Sequence, residues 1–312
     1  MAFKRSAVRS RSAPPIPFLR VWSTIVLLFA AVGCRSAPAA APPVAAPAAP
    51  PPPAVAGTID ALLWSQTAEE ARQIRRAVFA AAERALEAAL ADPMWSAFGQ
   101  GAEAASLPPA VIADVDETTL DNGPFEGRMA REGRSFDAAI WAAWVEAASA
   151  EPLPGALEFT RLASSRGVRV FYVTNRDAPF EAATRRNLRA AGFPLDEEVD
   201  VVLLRGEKPE WKSEKTGRFA EIARDHRVLL LIGDDLNDFL AGVRDASIAE
   251  RRARADAVAE RFGTSWFVLP NPLYGSWLRA ALLGGESPET PEALLRRKLE
   301  LLESFEGPAA VP

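Results

Sequence analysis

Five short apolar runs, Val111–Val115, Val168–Val173, Val201–Leu204, Val228–Ile232 and Trp266–Leu269, alternate with segments of helical pattern. The segments between them, Ala156–Ser165, Phe180–Ala191, Thr216–Asp225 and Ala246–Phe262, carry apolar residues at helical spacing. A run without polar alternation suits a strand buried on both faces, and strands alternating with helices call for crossover connections. The chain is therefore predicted to be an α/β protein, with a parallel sheet flanked by helices. In such sheets ligands gather outside the carboxyl ends of the strands.

Those ends carry an unusual set of residues. Asp114 and Asp116 close the first run. On a strand, positions i and i+2 face the same way, so two like charges are placed together on an apolar scaffold. That is costly unless a cation or a proton transfer uses them. Thr174-Asn175-Arg176 follows the second run, Lys208, Lys212 and Lys215 follow the third, and Gly233-Asp234-Asp235-Leu236-Asn237-Asp238 follows the fourth. Collected at one edge, they supply what phosphoryl transfer needs. Asp114 is the candidate nucleophile, forming an aspartyl-phosphate. Asp116 can protonate the leaving oxygen and then activate water. The Thr174 hydroxyl, with Asn175 beside it, can hold phosphoryl oxygens, and a lysine ammonium adds positive charge. Asp234 and Asp238 can complete a site for Mg²⁺, which prefers oxygen ligands.

Composition narrows the alternatives. The chain of 312 residues has a formal net charge of −5, which gives no basic footprint for a nucleic acid polymer. One Cys and one His exclude an internal disulfide framework and disfavour Cys/His zinc sites and a histidine nucleophile. His226 itself reads as a solvated helix-end residue.

The first 33 residues read as an address. Lys4, Arg5, Arg9, Arg11 and Arg20 form a basic stretch before an apolar core of about 13 residues, Val21–Gly33, where a bilayer span needs about 20. Ala31-Val32-Gly33-Cys34 resembles a bacterial lipobox, although Ala stands where Leu is usual. Residues 1–33 are thus expected to be a lipoprotein signal peptide and Cys34 the lipidated residue. Arg35 stands where an inner-membrane retention signal would place Asp, which favours the periplasmic face of an outer membrane. Residues 34–57, almost all Ala and Pro after Ser36, read as an extended tether. The phosphatase-like domain is expected over 58–284, with a helical insert at about 123–154, and a C-terminal helix and tail over 285–312. One long helix is expected over Thr58–Ala91, with Ile74, Val78, Ala81 and Ala85 on its apolar face and Arg75 mostly off it.

The motifs resemble those of the haloacid-dehalogenase-like (HAD-like) superfamily, with its Rossmann-like parallel sheet and small helical cap. The nearer resemblance is to the class C acid phosphatases, bacterial outer-membrane lipoproteins that include 5′-nucleotidases. It is carried by Asp116-Glu117-Thr118-Thr119-Leu120-Asp121-Asn122, Phe171–Arg176, Lys212–Phe219 and Asn271-Pro272-Leu273-Tyr274-Gly275-Ser276-Trp277. The resemblance implies Mg²⁺ held by the Asp114 carboxylate, the Asp116 backbone carbonyl and the Asp234 carboxylate, with Asp238 supporting the metal's waters. It implies Lys215 at the phosphate, with Lys212 as the alternative, and Asp121 and Asp235 in turns or caps. It further implies a homodimer as one possible assembly.

Phe125, Trp141 and Tyr274 are candidates for stacking on a nucleobase or aryl leaving group. Each has a competing reading as a core residue of the cap, and Trp144 is read as packing. The function expected is Mg²⁺-dependent hydrolysis of small phosphomonoesters, nucleoside 5′-monophosphates among them. The alternatives are phosphotransfer on the same scaffold and a non-catalytic surface lipoprotein.

Overall fold

The computed structural model of the protein describes residues 53–134, 136–282 and 290–304. The expected signal peptide, Cys34 and most of the expected tether lie outside them. Five strands, β1 (Pro109–Ala113), β2 (Arg169–Asp177), β3 (Val202–Arg205), β4 (Arg227–Gly233) and β5 (Trp266–Val268), form one sheet in the order β3-β2-β1-β4-β5. Every pairing is parallel. All seven residues of β4 are buried, which is why these strands read as unbroken apolar runs. The chain builds outward from β1 through β2 to β3, then returns to place β4 on the other side of β1. The strand order reverses between β1 and β4, so the crevice beyond their carboxyl ends is the expected ligand position.

Ten α-helices accompany the sheet among the described residues. Two precede it, α1 (Pro53–Thr67) and α2 (Glu69–Ala91), and two form the insert after β1, α3 (Gly123–Arg131) and α4 (Ala138–Ala147). Four join or follow the strands: α5 (Ala156–Ser165), α6 (Glu181–Ala191), α7 (Thr216–Asp225) and α8 (Ile248–Asp256). The last two are α9 (Ser276–Leu282) and α10 (Pro291–Glu300). The stem of the insert is closed by the Leu120–Pro152 bridge and by the amides of Asp121 and Leu153, which donate to Glu151 and Thr119.

The structure departs from the sequence reading at four places. The single helix expected over Thr58–Ala91 is two helices, broken at Ala68, whose ψ of 129° is extended. Arg75 covers the break: Nη1 donates to the Ser65 carbonyl at 2.9 Å and Nη2 to the Ser65 hydroxyl at 2.5 Å. It thereby satisfies a carbonyl that the helix end leaves unpaired. Arg75 accordingly lies on the buried stripe of α2, with Ala71, Phe79, Ala82, Leu86 and Ala89, whereas Ile74 is 43% exposed. The helix expected over Ala246–Phe262 starts at Ile248, where Ser247 and Glu250 form a capping box, and ends at Asp256 before a separate 3-10 turn. His226 is buried rather than solvated. Its ring meets Phe171 edge to face with centroids 4.9 Å apart, and its Nε2 lies 2.5 Å from an Arg169 nitrogen. Burial, then the Arg169 charge, lower its pKa and keep it neutral.

Candidate active site

Ladder pairing ends at Ala113, so Asp114 lies just beyond β1, its amide donating to the Ile232 carbonyl of β4. This fixes the Asp114 carboxylate at the point where the strand order reverses. Lys215, at the start of α7, ion-pairs with it and with Asp238, the latter at 2.7 Å. Both ends of the Asp114–Lys215 pair are almost fully buried. Lys212 is exposed instead, and its carbonyl accepts a hydrogen bond from Arg218.

The loop after β4 is shaped around Asp238. Its Oδ2 accepts hydrogen bonds from the amides of Asp234 (3.1 Å) and Asp235 (3.0 Å). A Cβ on Gly233 would collide with this carboxylate, so a residue without one is required there. Asp234 accepts from the Thr118 hydroxyl at 3.2 Å and from Asn271 Nδ2 at 2.7 Å. Asp235 caps the following 3-10 turn and ties it to the N-terminus of α9 through Ser276. Asp121 accepts from the Gly123 amide at 2.7 Å in a turn.

Asp114, Asp234 and Asp238 bring a carboxylate oxygen each within 4.8 Å of one another. Burial raises Asp114, Lys215 pulls it down, and Asp238 and Asp116 push it up again, leaving it at about 7. Burial and the charges of Asp238 and Asp114 lift Asp234 well above the ordinary carboxylate value. Such crowding of hard oxygen donors is what a divalent cation relieves, so the residues fit a metal ion. Burial works against the Lys215 ammonium, but the Asp114 and Asp238 carboxylates outweigh it and raise its pKa.

Asp116 occupies a different setting. Arg176 donates through Nε at 3.0 Å and Nη2 at 2.8 Å to Asp116 Oδ1, and Asn122 Nδ2 donates to the same oxygen at 2.8 Å. The Thr174 hydroxyl donates to Oδ2 at 3.1 Å and accepts from the Arg176 amide at 3.0 Å. Burial would raise this carboxyl, but the Arg176 charge and these hydrogen bonds bring it below the ordinary value. Trp144 Nε1 donates to Asn122 Oδ1 at 2.8 Å and so orients the amide that holds Asp116. Asn175 accepts from Arg218 Nη2 at 2.8 Å and donates to the Ser213 carbonyl at 3.1 Å, joining the end of β2 to the loop after β3. Burial lowers Arg218 to about 10.

Above these groups opens a cavity of about 830 Å³ that Asp114, Asp116, Asn175, Lys215, Asp234 and Asp238 all reach. Phe125, Trp141 and Tyr274 line it, as does Phe136, which the sequence reading did not single out. Phe125 meets Trp141 edge to face at 5.1 Å, and the Arg176 guanidinium lies 5.6 Å from the Trp141 ring centre. The Tyr274 hydroxyl donates to Glu117 Oε1 at 3.3 Å. Thr174 is buried beneath, with its hydroxyl turned to Asp116. Arg176, Asn122 and Glu117 stood within recognised motifs without an assigned role. Their roles depend on partners such as Trp144 and Tyr274 that no local spacing reveals.

A parallel sheet with carboxylates gathered at its switch point, a lysine between them and a helical insert above defines a haloacid-dehalogenase-like phosphatase. The model of the HAD superfamily, subfamily IIIB (acid phosphatase), matches residues 26–277. The chain belongs to that family, a family of phosphomonoester hydrolases. Its structure is similar to the class C acid phosphatase from Bacillus anthracis, with a TM-score of 0.70 and 28% identity, over 81% of this chain and 100% of that one. The same enzyme with tungstate bound is similar at 29% identity and a TM-score of 0.70, over 81% of this chain and 99% of that one. Among curated proteins, acid phosphatase 1 of Solanum lycopersicum is 29% identical over 167 residues, 52% of this chain and 57% of its own length. The stem 28 kDa glycoprotein of Glycine max is 26% identical over 168 residues, 52% of this chain and 58% of its own. The chain thus spans just over half the length of these curated relatives.

Proposed function

We propose that the protein is a Mg²⁺-dependent acid phosphatase that hydrolyses small phosphomonoesters, nucleoside 5′-monophosphates among them, at the bacterial cell envelope. The observation that carries this reading is the buried Asp114 carboxylate, set between Lys215 and the Asp234–Asp238 loop at the floor of an aromatic-walled cavity. Mg²⁺ on Asp114, Asp234 and the Asp116 carbonyl, with Asp238 behind, would neutralise the carboxylates and let a phosphate dianion approach. Lys215 and Asn175 hold the phosphoryl oxygens, and Thr174 sets the carboxylate of Asp116 from below.

An Asp114 oxygen attacks phosphorus, the ester P–O bond breaks, and Asp116 gives its proton to the departing alcohol. Asp116 then takes a proton from water as its oxygen attacks the aspartyl-phosphate. Inorganic phosphate leaves and Asp114 is regenerated. Phe125, Trp141 and Tyr274 offer ring faces and edges to a base or aryl group without selecting one base. The tungstate taken up by the Bacillus anthracis enzyme, a tetrahedral oxyanion, supports an oxyanion site in this fold.

Phosphate release from p-nitrophenyl phosphate and from nucleoside 5′- and 3′-monophosphates, with Mg²⁺ and with chelator, tests the reading. Release that stops in chelator and returns with Mg²⁺ is expected. Asp114→Asn is expected to lower turnover by at least about 10³-fold. Full activity in chelator, or in the variant, would overturn the metal or the nucleophile assignment respectively.

A further inference from the structure

The cavity above Asp114 is far larger than a phosphate group needs, and part of its wall, Leu278, Arg279, Leu294 and Lys298, lies beyond the region that the family model matches. Helix α10 packs against α1 and α9. It brings Leu294 and Lys298 to the cavity, where Thr58 of α1 also lies. The family match ends at residue 277, before α10 begins.

Carboxylates gather at the floor around Asp114, whereas the side formed by α9, α10 and the loop after β4 carries Arg244, Arg279 and Lys298 along with Asp235. Arg279 is paired with Asp245. Arg244 is held by the Ser213 hydroxyl, to which its Nη1 donates at 2.6 Å. Among the described residues, neither Arg244 nor Lys298 has an acidic partner within ion-pair distance, and against these three cations the same side carries the two acids Asp235, tied to Ser276, and Asp245. A cationic rim beside an acidic floor is poorly matched to a substrate whose only charge is the scissile phosphate. It matches a substrate with a second anionic group held away from the first.

We propose that Arg244 and Lys298 form a second-anion subsite, so that the favoured substrates are phosphomonoesters bearing a further phosphate, such as nucleoside 3′,5′-bisphosphates. This rests on the phosphatase reading above, and the test separates the two. Kinetics of the full chain with Mg²⁺ are compared on p-nitrophenyl phosphate, adenosine 5′-monophosphate and adenosine 3′,5′-bisphosphate. The bisphosphate is expected to show the lowest KM, with the advantage shrinking as ionic strength rises. Lys298→Gln and Arg244→Gln are each expected to raise KM for the bisphosphate by about tenfold or more, the worth of one charged hydrogen bond. They should leave both constants for p-nitrophenyl phosphate unchanged, and Lys298→Arg should restore the bisphosphate KM.

Equal KM for mono- and bisphosphate in the unaltered protein would overturn the subsite, as would a loss in the variants that is the same for all three esters. In either case hydrolysis of p-nitrophenyl phosphate leaves the phosphatase reading standing. No release from any ester would remove that reading and the subsite with it.

Discussion

Asp114 and Asp116 are two residues apart, yet their surroundings push them in opposite directions: Asp114 up to about 7, Asp116 below the ordinary value. Without a cation these directions run opposite to the roles of nucleophile and proton donor, and a cation on Asp114 with a phosphate dianion beside Asp116 would reverse them. Arg176 is the main reason Asp116 lies low, so Arg176→Gln is expected to raise the Asp116 pKa. The acid limb of the pH–rate profile should then move to higher pH, with turnover about 10- to 100-fold lower; an unmoved limb would detach Arg176 from Asp116. Glu117 adds a stability prediction. Burial, followed by the nearby Asp121 charge, raises it to about 8. Glu117 and Asp114 are therefore protonated in the folded protein at pH values where the unfolded chain has ionised them. Unfolding releases those protons, and stability must fall as pH rises from the ordinary carboxylate range towards 8, then level off. Asp116, being depressed, acts only at lower pH and does not offset this. In chelator, the melting temperature should decline from pH 5 to pH 8. Glu117→Gln should flatten part of the decline and Mg²⁺ the part due to the metal-site carboxylates. A profile that rises over that range would contradict these assignments.

At the scale of elements, what could be read from the sequence divides by the range of the interactions responsible. The strands declared themselves because β1 and β4 are covered on both faces, so no solvent-facing position interrupts their apolar runs. Asp114 and the Asp234–Asp238 loop could be placed at one edge because a parallel sheet puts all carboxyl ends together. The break at Ala68 could not be read, since neither Pro nor Gly marks it. It follows from α1 packing on α3 and α10 while α2 packs on α5 and β4. Burial of Arg75 and His226 likewise depends on distant partners, Ser65 and Arg169, so polarity alone misplaced both. Arg75→Gln is expected to destabilise the protein by about 1–3 kcal/mol in denaturant titration, through loss of its hydrogen bonds at a buried helix end. A change within about 0.5 kcal/mol would mean that packing alone fixes the turn.

At the scale of the molecule, the reading proposed here joins a membrane address, a low-complexity tether and an enzyme domain in that order. No helix among the described residues is long and apolar enough to cross a membrane. Attachment, on the reading proposed here, depends on Cys34. Cys34→Ser should shift the protein from the membrane fraction to the soluble fraction while leaving turnover of p-nitrophenyl phosphate unchanged; continued membrane retention would count against lipidation. The contact between α1 and α10 bears on how reactivity and enclosure are divided along the chain. The carboxylate floor and the insert are specified well before α10, but the cavity wall needs both helices. The reactive carboxylates and part of the enclosure around them are therefore set by separate stretches of the chain. On the subsite reading, substitutions in α10 can change which ester is preferred while the carboxylates that react stay as they are.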